Sequence, residues 1–205
     1  MQCGNESAPE SKTAKKDGTA PTKPSISYKS GTSPFNNGWY NTDVYVKIVA
    51  GADGTDGSGA AKISYSTNGG TSYSTYNGTT YDGLKISSTC TIYAKTIDNA
   101  GNESVASDGY TVSIDKTKPT LGSLASTGTS STEANITVTG SSDTGGSGIY
   151  QYRYYVGSSS TANKTNSSTS SSDNATVTGL TSGPTNACYV EVYDKAGNTS
   201  RKSSN

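Results

Sequence analysis

The chain has 205 residues, 16 acidic and 16 basic side chains, and no histidine. A neutral chain lacks the basic surface that attracts nucleic acid or an anionic membrane, and no run of about 18 apolar residues could span a bilayer. Without histidine, the commonest general base and the serine–histidine–aspartate arrangement are excluded. These properties predict a protein that is not an enzyme, with no nucleic-acid partner and no membrane span.

A short motif, Gly-Asn followed by two polar residues, recurs at residues 4–7, 101–104 and 197–200, at intervals of 97 and 96 residues. A fixed period of this length indicates a repeated unit of the size of a small β-sandwich. We therefore expect a linker with the end of a preceding repeat at residues 1–19, one sandwich at 20–116 and a second at 117–205. On this interpretation the chain is a piece of a longer tandem array.

Alternating apolar and polar residues predict short strands in the first unit. Every second residue of 44–48 is Val or Ile, and Ile63 and Tyr65 indicate the next strand. Asn-Gly-Gly at 68–70 is typical of a hairpin turn. Later strands are expected at residues 84–86, 91–97 and 110–114.

The second unit shows the same alternation, beginning at residues 136–138. Tyr150, Tyr152 and Tyr154 share one face of the next predicted strand with Val156, so we place this tyrosine row in the core, not in a sugar-binding surface. Residues 157–173 are nearly all Ser, Thr and Asn and predict a mobile loop. Each unit thus contains about seven strands, and no helical period is present.

Several motifs are shared by the two units: an Asp-x-Thr-x-Pro-Thr opening at 17–22 and 115–120, Gly-Ser-Gly at 57–59 and 146–148, and a closing Asp-x-Ala-Gly-Asn at 98–102 and 194–198. Together with Gly-Trp-Tyr-Asn-Thr-Asp-Val at 38–44, they resemble the bacterial immunoglobulin-like and fibronectin type III-like repeats of cell-surface and secreted proteins. The resemblance covers residues 20–205. It implies an all-β fold of two tandem Ig-like (Fn3-like) seven-stranded β-sandwich domains.

The resemblance also implies a role and a location. We expect a non-catalytic, extracellular or cell-surface module of a bacterial protein that acts as a spacer, stalk or adhesive segment. The alternatives are a glycan- or protein-binding accessory module of a larger secreted enzyme, and a self-associating filament subunit that pairs through open strand edges. Expected partners are neighbouring Ig-like repeats in the same chain, with host or cell-wall glycans and surface proteins as further candidates.

The closing motif has two interpretations. The favoured one is turn chemistry, in which Asp98 or Asp194 accepts hydrogen bonds from turn N–H groups and the following glycine supplies a positive φ. The alternative is calcium, which binds six to eight oxygen ligands. Asp53, Asp56 and Asp98 would then converge in the first unit, and Asp143 with Asp194 in the second. No other cofactor is expected.

Three aromatic residues are candidate ligand contacts: Trp39, Tyr40 and Tyr155. Flat aromatic rings can stack on sugars or on a protein partner. Trp39 precedes a predicted strand beside a glycine, and we favour a packing role in which it covers one end of the sandwich. An exposed binding platform is the alternative for this residue.

Overall fold

The structure is a computed structural model, and it describes residues 16–28, 33–77, 83–157, 159, 161–180 and 187–204. The linker predicted at residues 1–19 therefore lies outside the described residues except for its last four. Within the described part, the regular structure consists of fifteen β-strands. Among these residues there is no helix with the length and hydropathy that a membrane span requires.

The first unit contains eight strands that form two facing sheets. They are β1 (Ser25–Tyr28), β2 (Trp39–Tyr40), β3 (Val44–Val49), β4 (Ala60–Ser66), β5 (Ser74–Thr75), β6 (Leu84–Ile86), β7 (Cys90–Asp98) and β8 (Tyr110–Ile114). One sheet has the order β1-β3-β6, and the other has the order β2-β8-β7-β4-β5. The two-residue β2 pairs in parallel with β8, whereas the other pairs are antiparallel.

The second unit contains seven strands. They are β9 (Ser123–Gly128), β10 (Glu133–Thr139), β11 (Ile149–Val156), β12 (Lys164–Asn166), β13 (Asp173–Thr178), β14 (Cys188–Asp194) and β15 (Thr199–Ser204). They form the sheets β13-β10-β9 and β12-β11-β14-β15. With β2 set aside, the two units have the same strand order. The predicted pair of seven-stranded sandwiches is confirmed, and β2 is an addition to the first.

Strand alternation produces the two cores. In β3 the buried and exposed residues alternate strictly, and Val44 and Val46 are fully enclosed. Removing a Val or Ile side chain from water contributes about 1.5–3 kcal/mol, so a few such positions per strand suffice to hold the sheets together. The core of the first unit is formed by Tyr40, Val44, Val46, Ile86, Ile92, Val112 and Ile114.

The core of the second unit includes two of the three tyrosines predicted for it. Tyr152 and Tyr154 are fully buried, and their hydroxyls donate to the carbonyl of Ser170 and to Oδ2 of Asp173, both at 2.8 Å. Tyr150 differs, because β11 has a register irregularity between Ile149 and Gln151. A bulge of this kind re-aims the side chain, and Tyr150 is only half-buried.

The Ser/Thr/Asn-rich stretch at 157–173 also departs from the prediction. It contains β12, which pairs with β11 through Tyr152, Arg153 and Tyr154. Asn166 anchors this strand, because its Nδ2 donates to Oδ2 of Asp173 at 3.0 Å and to the carbonyl of Asn174 at 2.8 Å. A composition that predicts a loop thus forms an edge strand, because asparagine side chains supply the bonds that apolar packing would otherwise provide.

The residues at the junction between the units are bonded to the first unit directly after its last strand. Strand β8 ends at Ile114, and the N–H of the next residue, Asp115, donates to the carbonyl of Tyr40 at 2.9 Å. Lys116 forms an ion pair with Asp43 of the first unit. The predicted boundary between residues 116 and 117 falls between β8 and β9.

Candidate functional site

Three aspartates of the first unit converge where its opening segment passes the closing bend. Asp17 belongs to the opening segment, Asp53 to the loop between β3 and β4, and Asp98 is the last residue of β7. One carboxylate oxygen from each lies within 4.8 Å of the other two. Asp98 is only 2% exposed. We call this group the first aspartate cluster.

The second unit repeats the arrangement. Asp115 belongs to its opening segment, Asp143 to the loop between β10 and β11, and Asp194 is the last residue of β14. One oxygen from each again lies within 4.8 Å of the others. Asp194 is fully buried, and Asp115 is 6% exposed. This group is the second aspartate cluster.

The closing motif holds its aspartate in the same way in both units. The N–H and Nδ2 of Asn102 donate to the two oxygens of Asp98, both at 2.8 Å. Asn198 makes the same two bonds to Asp194 at the same distances. The intervening glycines have φ of +93° and +90°, a region that favours glycine, so the predicted turn chemistry is present in both closing bends.

The Gly-Ser-Gly motif positions the remaining carboxylates. In the second unit the N–H of Ser147 donates to Asp115 Oδ2 and the N–H of Gly148 donates to Asp143 Oδ2, both at 2.6 Å. A Cβ placed on Gly146 would lie 2.5 Å from Asp143 Oδ1 and 2.7 Å from Asp115 Oδ2, so no side chain fits there. The motif is a tight cradle for two acidic groups.

The same bonds recur in the first unit. The N–H of Ser58 donates to Asp17 Oδ2 at 2.7 Å, and the N–H of Gly59 donates to Asp53 Oδ2 at 2.6 Å. The hydroxyl of the motif serine accepts the N–H of Ala100 at 3.0 Å, and Ser147 accepts that of Ala196 at 3.1 Å. The loop and the closing bend are therefore tied together in each unit.

Burial disfavours the charged form of two carboxylates in the second cluster. Burial raises the pKa of Asp143 and of Asp194 above the ordinary aspartate value. Asp17 is more exposed, and hydrogen bonds from the N–H groups of Thr19 and Ser58 lower its pKa. The ion pairs found among the described residues all use other acids: Asp43, Asp108, Glu103 and Glu191.

Four of the five aspartates predicted as metal ligands lie in these clusters: Asp53, Asp98, Asp143 and Asp194. Asp56 does not; it is exposed and lies outside the first cluster. The sequence interpretation missed Asp17 and Asp115, which complete the two sets. The sequence did contain a signal for them, because each is the first residue of one copy of the Asp-x-Thr-x-Pro-Thr opening that the two units share.

The aromatic residues predicted as ligand contacts are placed differently. Tyr40 is 3% exposed and belongs to the first core, so it offers no surface to a ligand. Tyr155 is 6% exposed, its hydroxyl donates to Glu191 Oε2 at 2.7 Å, and Arg201 lies over its ring at 5.2 Å. Trp39 is half-buried and its backbone pairs with Ser113. Of the three, only Trp39 is partly exposed.

The chain is similar to known proteins in sequence and in structure. No protein-family model matches the chain. Exoglucanase B of Cellulomonas fimi is 31% identical over 215 aligned residues, which take in 98% of the chain and 18% of the exoglucanase. The chain therefore corresponds to less than a fifth of that relative's length.

Among solved structures, titin domains A168–A170 superpose with a TM-score of 0.51 at 15% identity, covering 90% of the chain and 64% of the titin chain. The chain has the fold of tandem fibronectin type III-like modules. The fibronectin(III)-like modules of Clostridium thermocellum CbhA are also similar, with a TM-score of 0.48, 14% identity, and coverage of 87% and 91%. The predicted resemblance is confirmed at the level of the fold.

Proposed function

We propose that this pair of fibronectin type III-like modules is a stiff, non-catalytic spacer within a larger extracellular bacterial protein. The single observation that supports it most directly is the junction. Asp115 follows the last residue of β8 and its carboxylate already belongs to the second aspartate cluster, so no flexible linker separates the units. Short junctions between small sandwiches limit bending.

Contacts across the junction support the same proposal. Phe35, in the first unit, lies parallel to the ring of Tyr193 at 6.3 Å and edge-on to that of Tyr150 at 6.0 Å. Lys116 pairs with Asp43 and donates to the carbonyl of Ser87 at 3.0 Å. The aromatic contact spans the junction, and the ion pair fixes the start of the connecting segment to the first unit, so both oppose rotation of one unit against the other.

The setting of the parent protein is part of the proposal. Similarity to a segment of an exoglucanase supports a secreted, glycan-active parent in which these modules separate other domains. The same similarity favours one second candidate, a glycan-binding accessory module that uses Trp39. Sedimentation of the chain with cellulose and with peptidoglycan separates the two: a spacer stays in the supernatant, whereas binding that Trp39→Ala abolishes supports the accessory role.

Stiffness is tested by small-angle X-ray scattering. A single globule of 205 residues would have a radius of gyration of about 17 Å, and a stiff tandem should exceed this clearly and give a narrow size distribution. A matched variant carries four Gly/Ser residues between Ile114 and Asp115. We expect this insertion to broaden the distribution. A native chain that already scatters like the insertion variant would contradict the proposal.

A further inference from the structure

The two aspartate clusters each leave one carboxylate oxygen without a hydrogen bond. In the first cluster Asp53 Oδ1 is fully enclosed and has no partner, although its other oxygen accepts the N–H of Gly59. In the second cluster the equivalent atom, Asp143 Oδ1, accepts no hydrogen bond in the described part of the chain. Buried polar groups normally have partners, so the enclosed Asp53 Oδ1 requires an explanation.

Turn chemistry does not explain it. Hydrogen bonds from N–H groups account for both oxygens of Asp17 and Asp98 and for one of Asp53. Those bonds shape the loops, but they bring three carboxylates together. Among the described residues, no lysine or arginine forms an ion pair with any of the three. A cluster of three carboxylates that recurs in both units, and that encloses an unpartnered oxygen in the first, indicates a cation.

We propose that each unit binds one calcium ion, held by Asp17, Asp53 and Asp98 in the first unit and by Asp115, Asp143 and Asp194 in the second. Ca²⁺ takes oxygen ligands at about 2.3–2.6 Å, so ligands on opposite sides of one ion lie up to about 5.2 Å apart. The observed separations do not exceed this limit. Neither cluster contains Cys or His, which disfavours zinc and other soft metals.

Calcium suits these sites better than magnesium. Magnesium demands a near-ideal octahedron and retains most of its water. Here the three ligands come from an opening segment, a loop and a strand end, an irregular set that a larger and less directional ion accommodates. We therefore retain the calcium alternative that the sequence suggested, but the ligand set now includes Asp17 and Asp115 and no longer includes Asp56.

The position of the second site extends its effect beyond one unit. Asp115 directly follows β8 of the first unit, whereas Asp143 and Asp194 belong to the second. An ion held by all three joins the end of the first unit to a loop and a strand end of the second. This inference does not rest on the spacer proposal, because ion binding is measured separately from molecular shape.

The experiment uses the full chain after removal of metal with EDTA, titrated calorimetrically with CaCl₂ and, separately, with MgCl₂. We expect two calcium ions per chain and much weaker binding of magnesium. Asp143→Asn should leave one ion, and Asp143→Asn combined with Asp53→Asn should leave none. Asparagine retains an oxygen for the N–H of Gly148 or Gly59, so both variants should fold, which far-UV circular dichroism checks. Asp56→Asn is the matched control and should retain both ions.

A second readout is thermal unfolding. Free calcium at 100 times the dissociation constant should raise the Tm of a unit by roughly 10–20 °C, and Asp143→Asn should remove the shift in the second unit. Absence of calcium binding by the native chain, or undiminished binding by the double variant, would overturn the proposal. Scattering from the same samples tests the spacer independently: a chain that binds no calcium but remains stiff contradicts only the metal sites.

Discussion

The side chain of Asn198 joins the closing bend of the second unit to the opening residue Asp115. Its Nδ2 donates to Asp194 Oδ2 at 2.8 Å and to the backbone carbonyl of Asp115 at 2.9 Å. The contact joins residues 83 positions apart in the chain. In the first unit Asn102 makes the corresponding contact to the carbonyl of Asp17 at a longer 3.3 Å. One amide in each unit thus brings the opening segment to the aspartate cluster.

Replacing Asn198 by alanine should destabilise the second unit. The substitution removes two side-chain hydrogen bonds and leaves a buried carboxylate oxygen without a donor, so we expect a loss of about 1–3 kcal/mol in the free energy of unfolding. Urea unfolding measures it. The control is Asn41→Ala, at an exposed position, which should change the value by less than about 0.5 kcal/mol. Equal effects of the two substitutions would contradict the role of Asn198.

Gly146 should not tolerate a side chain. A Cβ would lie 2.5 and 2.6 Å from the two oxygens of Asp143, so Gly146→Ala should cost about 1–3 kcal/mol through displacement of the loop. Gly128→Ala is the control, because nothing lies within 4 Å of its Cβ and its φ is not positive. That change should be neutral or slightly stabilising. Thermal unfolding of both variants decides the matter, and a tolerated Gly146→Ala would contradict the cradle.

Asp43 should titrate at unusually low pH. Its hydrogen bond from Lys116, reinforced by Lys85, lowers the pKa from 3.8 to about 2. Because the folded-state pKa is depressed, the stabilisation is present above pH 3.8 and is lost as the pH falls towards 2. Carbon NMR of the Asp43 carboxyl carbon measures the titration. Lys116→Ala should raise the pKa, whereas Lys118→Ala should not; a value near 3.8 in the native chain would contradict the ion pair.

Phe35 should couple the two units energetically. Its ring is 48% exposed yet stacks on Tyr193 with an angle of 9° between the planes. A double-mutant cycle of Phe35→Ala and Tyr193→Ala should give a coupling energy of about 0.5–1.5 kcal/mol. The control cycle pairs Tyr193→Ala with Val105→Ala, since Val105 is 73% exposed, and should give a value near zero. Zero coupling for Phe35 would show that the aromatic contact does not join the units.

Much of the fold could be predicted from sequence because strand alternation is a local property. Every second residue of β3 from Val44 to Ile48 is buried as the spacing indicates, and so are Tyr152 and Tyr154. Tyr150 departs from the pattern because a bulge follows the Gly-Ser-Gly turn, and β4 has the same irregularity between Ala60 and Lys62. The alternation of apolar and polar residues in the sequence does not reveal a β-bulge, in which an extra residue moves one side chain away from its expected face of the strand.

The candidate site was only partly predictable for a different reason. Asp53 and Asp56 lie in one loop and are indistinguishable by residue type, and only the hydrogen bond from Gly59 selects Asp53. Asp17 and Asp115 reach their clusters because the opening segment passes beside the closing bend, a contact between residues far apart in sequence. Motif spacing identifies which residues recur, but the path of the chain decides which of them meet.

Asp115 is connected to both units, and this determines where the chain can be divided into fragments. It directly follows β8, the last strand of the first sandwich, but its carboxylate belongs to the aspartate cluster of the second. A fragment that starts at residue 117, as the repeat pattern alone suggests, would lack one acid of the second cluster. A fragment meant to report on the second sandwich must therefore start before Asp115.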